Sequence, residues 1–90
     1  MKREIERLVE MLTKADIPFE VTDDAMGNSN NQIWYPNYDK HICDVICHEY
    51  SYGGKDGYLE IMGLSDNDYD DVEGWLTAEQ VFEKISSDFF

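Results

Sequence analysis

Positive charge is what this chain has least of. Seven lysines and arginines stand against twenty aspartates and glutamates, a formal charge of −13. Lys2, Arg3, Arg7 and Lys14 offset Glu4, Glu6 and Glu10 to leave +1 over residues 1–14, so the remaining chain carries −14. A field of that sign repels phosphate backbones and attracts basic protein surfaces, speeding association with them until salt screens it. Direct nucleic-acid binding is therefore not expected. A basic protein that itself binds nucleic acid is the natural partner, because its groove is built to receive spaced negative charge.

Long apolar runs are also missing. None approaches the roughly 20 residues of a membrane span, and the first helical run is charged throughout, so neither a membrane segment nor a secretory signal is expected and the cytoplasm is the expected compartment. Cysteine is limited to Cys43 and Cys47. On one straight strand they would lie roughly 13 Å apart, beyond disulfide reach, and the cytosol would keep them reduced. Ninety residues make one domain, 1–90, with room for a single core but not for a deep substrate cleft as well, so an enzyme is not expected. The hydrophobic content of 42% is enough to build that core, and a folded protein follows.

What is there centres on residues 41–64, two runs rich in Ile, Val, Tyr and Leu joined through Tyr52-Gly53-Gly54-Lys55-Asp56-Gly57. The glycines tolerate the positive φ of a reversing chain, which predicts a β-hairpin. Alternation puts Ile42, Asp44, Ile46, His48 and Tyr50 on one face of its first arm and His41, Cys43, Val45, Cys47 and Glu49 on the other. Leu59 and Ile61 in the second arm are expected to meet helices. Upstream, Ile5, Leu8, Val9 and Leu12 define one face of a helix over residues 2–15, stopped at Asp16-Ile17-Pro18 by the proline. A short strand over residues 18–22, an Asn- and Ser-rich loop over 23–32 and a strand at Ile33-Trp34-Tyr35 follow, with Trp34 and Tyr35 on opposite faces.

Downstream, residues 65–73 (SDNDYDDVE) hold five carboxylates and no cation, which predicts a solvated loop. Thr77 and Gln80 form a capping box flanked by the apolar pair Leu76 and Val81, so a second helix starts there. It is expected to bury Val81, Phe82 and Ile85 and to fray at Ser86 and Ser87, leaving Phe89 and Phe90 as lids on the core. The whole predicts an α+β domain in α-β-β-β-α order, a three- to four-stranded antiparallel sheet with both helices on one face.

Several groups invite a chemical reading. His41, Cys43, Cys47 and His48 are soft-metal ligands within eight residues, and a possible Zn2+ site is the cofactor they suggest. Cys47 lies far along the strand and His48 turns away, so closing a tetrahedron would need a further ligand, a bulge or a second molecule; otherwise the two thiols are simply core. Self-association into a homo-oligomer stays open. Asp66, Asp68 and Asp70 echo a calcium loop, but Asp71 replaces its glycine and Thr77 its closing glutamate. Cys47 and His48 diverge as a nucleophile–base pair, and no glycine loop precedes a helix to cradle phosphate. Asp66, Asp68, Tyr69, Asp70, Asp71 and Glu73 combine an aromatic anchor with clustered carboxylates. With Tyr50, Tyr52 and Tyr58 nearby, they suit an arginine-rich protein surface.

The segments SYGGKDGYLEIMGL and VEGWLTAEQVFEKI resemble those of small acidic proteins encoded by phages and prophages of Gram-positive bacteria, a likeness covering about the second half of the chain. Comparable proteins include type II anti-CRISPR proteins. The resemblance implies a non-enzymatic inhibitor acting in the bacterial host cytoplasm on a basic host protein, with a Cas9-type nuclease as the favoured target; it assigns no role to individual residues. The alternative is a metal-stabilised structural or assembly protein of a phage.

Overall fold

The computed structural model describes residues 3–23, 31–47, 57–64 and 72–90. Their order is α1 (Glu4–Lys14), β1 (Glu20–Thr22), β2 (Gln32–Tyr35), β3 (Cys43–Ile46), β4 (Leu59–Met62), β5 (Val72–Leu76) and α2 (Ala78–Phe89). The strands form one antiparallel sheet in sequence order, β1-β2-β3-β4-β5, and each pairs with the next. The class is the expected α+β, with five strands where three to four were predicted. The added strand is β5, which takes in Val72 and Glu73 from the predicted loop. Its acidic composition and its irregular alternation hid it.

The register aligns Val21, Ile33, Val45 and Ile61 in a single row across four strands. Ile33, Val45 and Ile61 are fully buried, as are Ile5, Leu8 and Leu12 from α1 and Val81 and Ile85 from α2, all in one cluster. β-Branched side chains fit the pleated surface, and each buried side chain of this size contributes about 1.5–3 kcal/mol relative to exposure. Both helices lie on this face. Leu59 and Ile61 meet them as expected, and Tyr35 is core while Trp34 lies on the opposite face, only partly buried.

α1 stops for a reason other than Pro18. The Ile17 N–H donates to the Leu12 carbonyl (3.0 Å) and the Asp16 N–H to the Thr13 carbonyl (3.2 Å), while Asp16 takes φ +58°. That is a Schellman motif with aspartate in the left-handed position usually held by glycine. Ile17 and Leu12 are both buried beneath it, the apolar contact that normally accompanies the turn. Pro18 then follows a helix that has already ended.

α2 begins with the predicted capping box: the Gln80 N–H donates to Thr77 Oγ1 and the Thr77 N–H to the Gln80 side chain (2.8 Å). α1 adds a second cap. Glu4 Oε1 accepts the Ala78 N–H (3.0 Å), and Arg7 bonds both Glu4 (2.7 Å) and Glu79. The far end of α2 does not fray at Ser86 and Ser87 but runs to Phe89, where the Tyr35 hydroxyl donates to Asp88 Oδ2 (2.8 Å) from 53 residues away. Phe89 and Phe90 are not lids on the core: both are exposed, Phe90 by 80%.

Asn31, the only buried polar residue among those described, ties the sheet's end together. Its N–H donates to the Thr22 carbonyl, its side-chain amide to the Cys47 carbonyl, and its side-chain oxygen accepts from Arg3 (3.0 Å). This residue lies in the stretch 23–32 read as a loop, yet it works as a junction, and Gln32, the last of that stretch, already belongs to β2.

Two left-handed positions give opposite expectations. A Cβ at Gly63 (φ +91°) would lie 2.4 Å from the Ile42 carbonyl oxygen, a backbone atom that cannot swing aside. Gly63→Ala should therefore lower unfolding free energy by about 2 kcal/mol or more, whereas Asp16→Gly should raise it by about 0.5–1 kcal/mol. Urea titration reads both, and an unchanged Gly63→Ala midpoint would contradict the close approach.

Glu4 supplies a pH test. Burial works to raise its carboxyl pKa, but the Ala78 N–H and the Arg7 guanidinium outweigh that and hold it below the usual value. A depressed folded value means the contribution is present above the unfolded pKa of about 4.3 and disappears as pH falls through the folded one. The stability gap between wild type and Glu4→Gln should be widest at pH 6–7 and close towards about pH 3. A gap independent of pH over that range would remove the carboxylate from this role.

Candidate protein-docking surface

With both helices on one face, the other face of the sheet has no covering element among the described residues. The register aligns Glu20, Trp34, Asp44 and Met62 across it, and in the next row Gln32, Ile46 and Glu60. Local bonds fix its polar groups. Trp34 Nε1 donates to Thr22 Oγ1 (2.9 Å), and Gln32 Nε2 donates to Asp44 Oδ2 (3.0 Å). Burial pushes the Asp44 carboxyl pKa up, opposed by that hydrogen bond and by His41. The five strands contain no lysine or arginine, so every formal charge they carry is negative.

Aromatic rings rise at both ends of this face. At one end the turn after β2 opens with a cis Tyr35-Pro36 bond and is tied by the Lys40 N–H to Asn37 Oδ1 (2.8 Å) and the Tyr38 N–H to Glu20 Oε1 (3.2 Å). It stands the Tyr38 and His41 rings edge-on to Trp34, with centroids 4.9 and 4.6 Å away. At the other end Tyr58 packs against Trp75 with centroids 6.1 Å apart.

Trp75 is placed by a β-bulge. Leu59 pairs with Leu76 and Ile61 with Glu73, so Gly74 and Trp75 together oppose Glu60. Trp75 takes φ +59° and remains 60% exposed. A bulky residue at positive φ is strained, by about 1–3 kcal/mol, where glycine would fit freely. Stability alone does not select tryptophan here.

The residues singled out by sequence fall in different places. Asp66, Asp68, Tyr69, Asp70 and Asp71 lie outside the described residues, as do Tyr50, Tyr52, His48 and Glu49. Glu73 is described: it sits in β5 beside the core row, turned to the helix side, where the Lys84 ammonium lies 2.9 Å from its carboxylate. That ion pair borders an open groove of about 590 Å3 between α2 and the sheet, also lined by Leu64, Leu76 and Gln80.

The proposed metal ligands separate. Cys43 and Cys47 are buried on the helix-covered face, whereas His41 leaves the predicted alternation, is exposed and sets its ring edge-on to Trp34 with Nδ1 against the Tyr38 carbonyl (2.9 Å). Its neighbour in the pattern was expected on the same face; the turn's end rotates it away before β3 begins. No three His, Cys, Asp or Glu side chains converge on a common point among the described residues. Burial, then the charges of Asp44 and Asp88, push the Cys43 thiol up to about 12, so it is protonated at neutral pH. Nor is any helix among the described residues long and apolar enough to cross a membrane.

Sequence reasoning separated Trp34 from Tyr35 and marked Tyr58 as an interface ring. It missed Trp75, because the bulge breaks the period-two pattern that would have revealed β5. Comparison with protein-family models, curated proteins and solved structures gave no match to this chain.

Both thiols should react with a disulfide reagent at pH 8 at least about a hundredfold more slowly in the native protein than in urea. A native thiol modified at the rate of free cysteine would show that this face is not closed.

Proposed function

We propose that this is a non-enzymatic binding protein of the bacterial cytoplasm that occupies the basic, nucleic-acid-binding surface of a host protein. The favoured target is a Cas9-type effector, which would make the protein an inhibitor of antiviral defence. The supporting observation is how charge is divided between the two layers. Among the described residues, Arg3, Arg7, Lys14 and Lys84 belong to the helical layer and Lys40 to a turn, while the strands carry only carboxylates. Arg3 bonds Glu6, Arg7 bonds Glu4 and Glu79, and Lys84 bonds Glu73, so carboxylates of the helical side and the sheet edge hold those cations there. The helices carry six carboxylates against those four cations, so both layers attract a basic partner, and the strands are the layer with no cation to oppose it.

The target preference comes from the resemblance of the second half of the chain to small acidic phage proteins. Purified protein should bind a guide-loaded Cas9-type effector at 50 mM salt and prevent its capture of target DNA. The affinity should fall by at least about tenfold at 300 mM salt as the charges are screened. Absence of any complex at 50 mM salt would exclude this target.

A further inference from the structure

We infer that the docking surface is the uncovered face of the sheet, with Trp34 and Trp75 as aromatic anchors and Glu20, Asp44 and Glu60 between them, and that its occupant is an arginine-rich segment of the basic partner. The inference rests on the function proposed above and names its surface, moving the principal contact away from the acidic stretch 66–73. Three features of this face fit that occupant.

The first is chemical pairing. Guanidinium groups stack on indole faces and bond carboxylates through two parallel N–H donors, so one arginine side chain satisfies both residue types this face alternates. Trp34 stands between Glu20 and Asp44 in its cross-strand row, and Trp75 belongs to the bulge that opposes Glu60. Arginines along an extended segment would meet aromatic and anionic groups in turn. Lysine, a compact and strongly hydrated point charge, gains less from the rings.

The second is exclusion of the other obvious occupant. Met62 is 53% exposed and Ile42 49%, apolar surface that a second copy of the chain could cover. A symmetric sheet-to-sheet pair would then bring together two faces that each present Glu20, Asp44 and Glu60, in molecules that each carry −13. Like charge disfavours that pairing, and a cationic segment relieves it. Asp44 gains most, since its carboxylate is half-buried and burial outweighs the Gln32 amide, the His41 imidazole and its own backbone N–H that oppose it.

The third is the strain at Trp75. Tryptophan at φ +59°, held out into solvent, costs stability that glycine would restore. An interface anchor gives that cost a purpose.

The chain's only two tryptophans are the anchors, so intrinsic fluorescence reports this face alone. The experiment titrates full-length protein with a nine-residue arginine peptide and with its lysine counterpart at 50 mM salt, following tryptophan emission, and repeats the arginine titration with three variants. Glu60→Lys and Glu83→Lys make the same change in net charge, one on the sheet face and one on α2. Trp75→Gly removes an anchor and should raise the urea midpoint, so weaker binding cannot be ascribed to misfolding.

The arginine peptide is expected to shift the emission and to bind more tightly than the lysine peptide. Glu60→Lys and Trp75→Gly should each weaken it by about tenfold and Glu83→Lys by less than about threefold. Equal losses for the two charge reversals, or none for Trp75→Gly, would overturn the surface assignment; so would a dimer by light scattering that buries the tryptophans. If the effector binds but the peptide does not, the surface assignment fails and the proposed function stands. If neither binds, both fail.

Discussion

The row of branched side chains running from Val21 through Ile33 and Val45 to Ile61 is the constraint on which the molecule depends. It is the seam to which both helices attach, and it sets the register of four strands at once, because slipping any strand by one residue would turn its core set to solvent. Everything on the reverse face inherits that alignment. Trp34 is brought beside Asp44 because Ile33 must sit beside Val45.

The helices are fastened to each other as well as to the sheet. Glu4 of α1 caps the start of α2, Arg7 bridges to Glu79, and Tyr35 in β2 holds the last turn of α2 through Asp88. These polar links lie at the two ends of α2, where a helix has unsatisfied backbone groups and where burial alone leaves it weakly held. They also gather carboxylates onto the few cations of this side. The consequence is a protein whose helical side mixes cations with carboxylates while the strands carry carboxylates alone.

The reverse face suits recognition better than chemistry. Its described groups are spread across a sheet, both thiols are buried in the core, and that of Cys43 is protonated. Flat anionic surface interrupted by aromatic rings suits a groove that normally receives the phosphates and stacked bases of nucleic acid. A binder of the proposed kind would need only a rigid mount, which a ninety-residue domain can supply.

Local rules made much of this legible. The 3.6-residue spacing of Ile5, Leu8, Val9 and Leu12, the capping box at Thr77 and Gln80, and the apolar arms that pair as β3 and β4 are local signals. The sequence by itself therefore determined the helices, those two strands, the α+β class and the charge, while the glycine connection at Gly53-Gly54 lies outside the described residues. What it did not determine depended on contacts between distant segments. Acidic Val72-Glu73-Gly74 becomes a strand because β4 offers a free edge, and the bulge there erased its alternation. The last turn of α2 persists through a hydrogen bond from β2. His41 parts from Cys43 because a turn ends between them. Which sheet face stays open was equally undecided by pattern, since each arm of the hairpin alternates between two mixed sets; only the packing of both helices over Val45 and Ile61 chose, and with that choice put the tryptophans and carboxylates together.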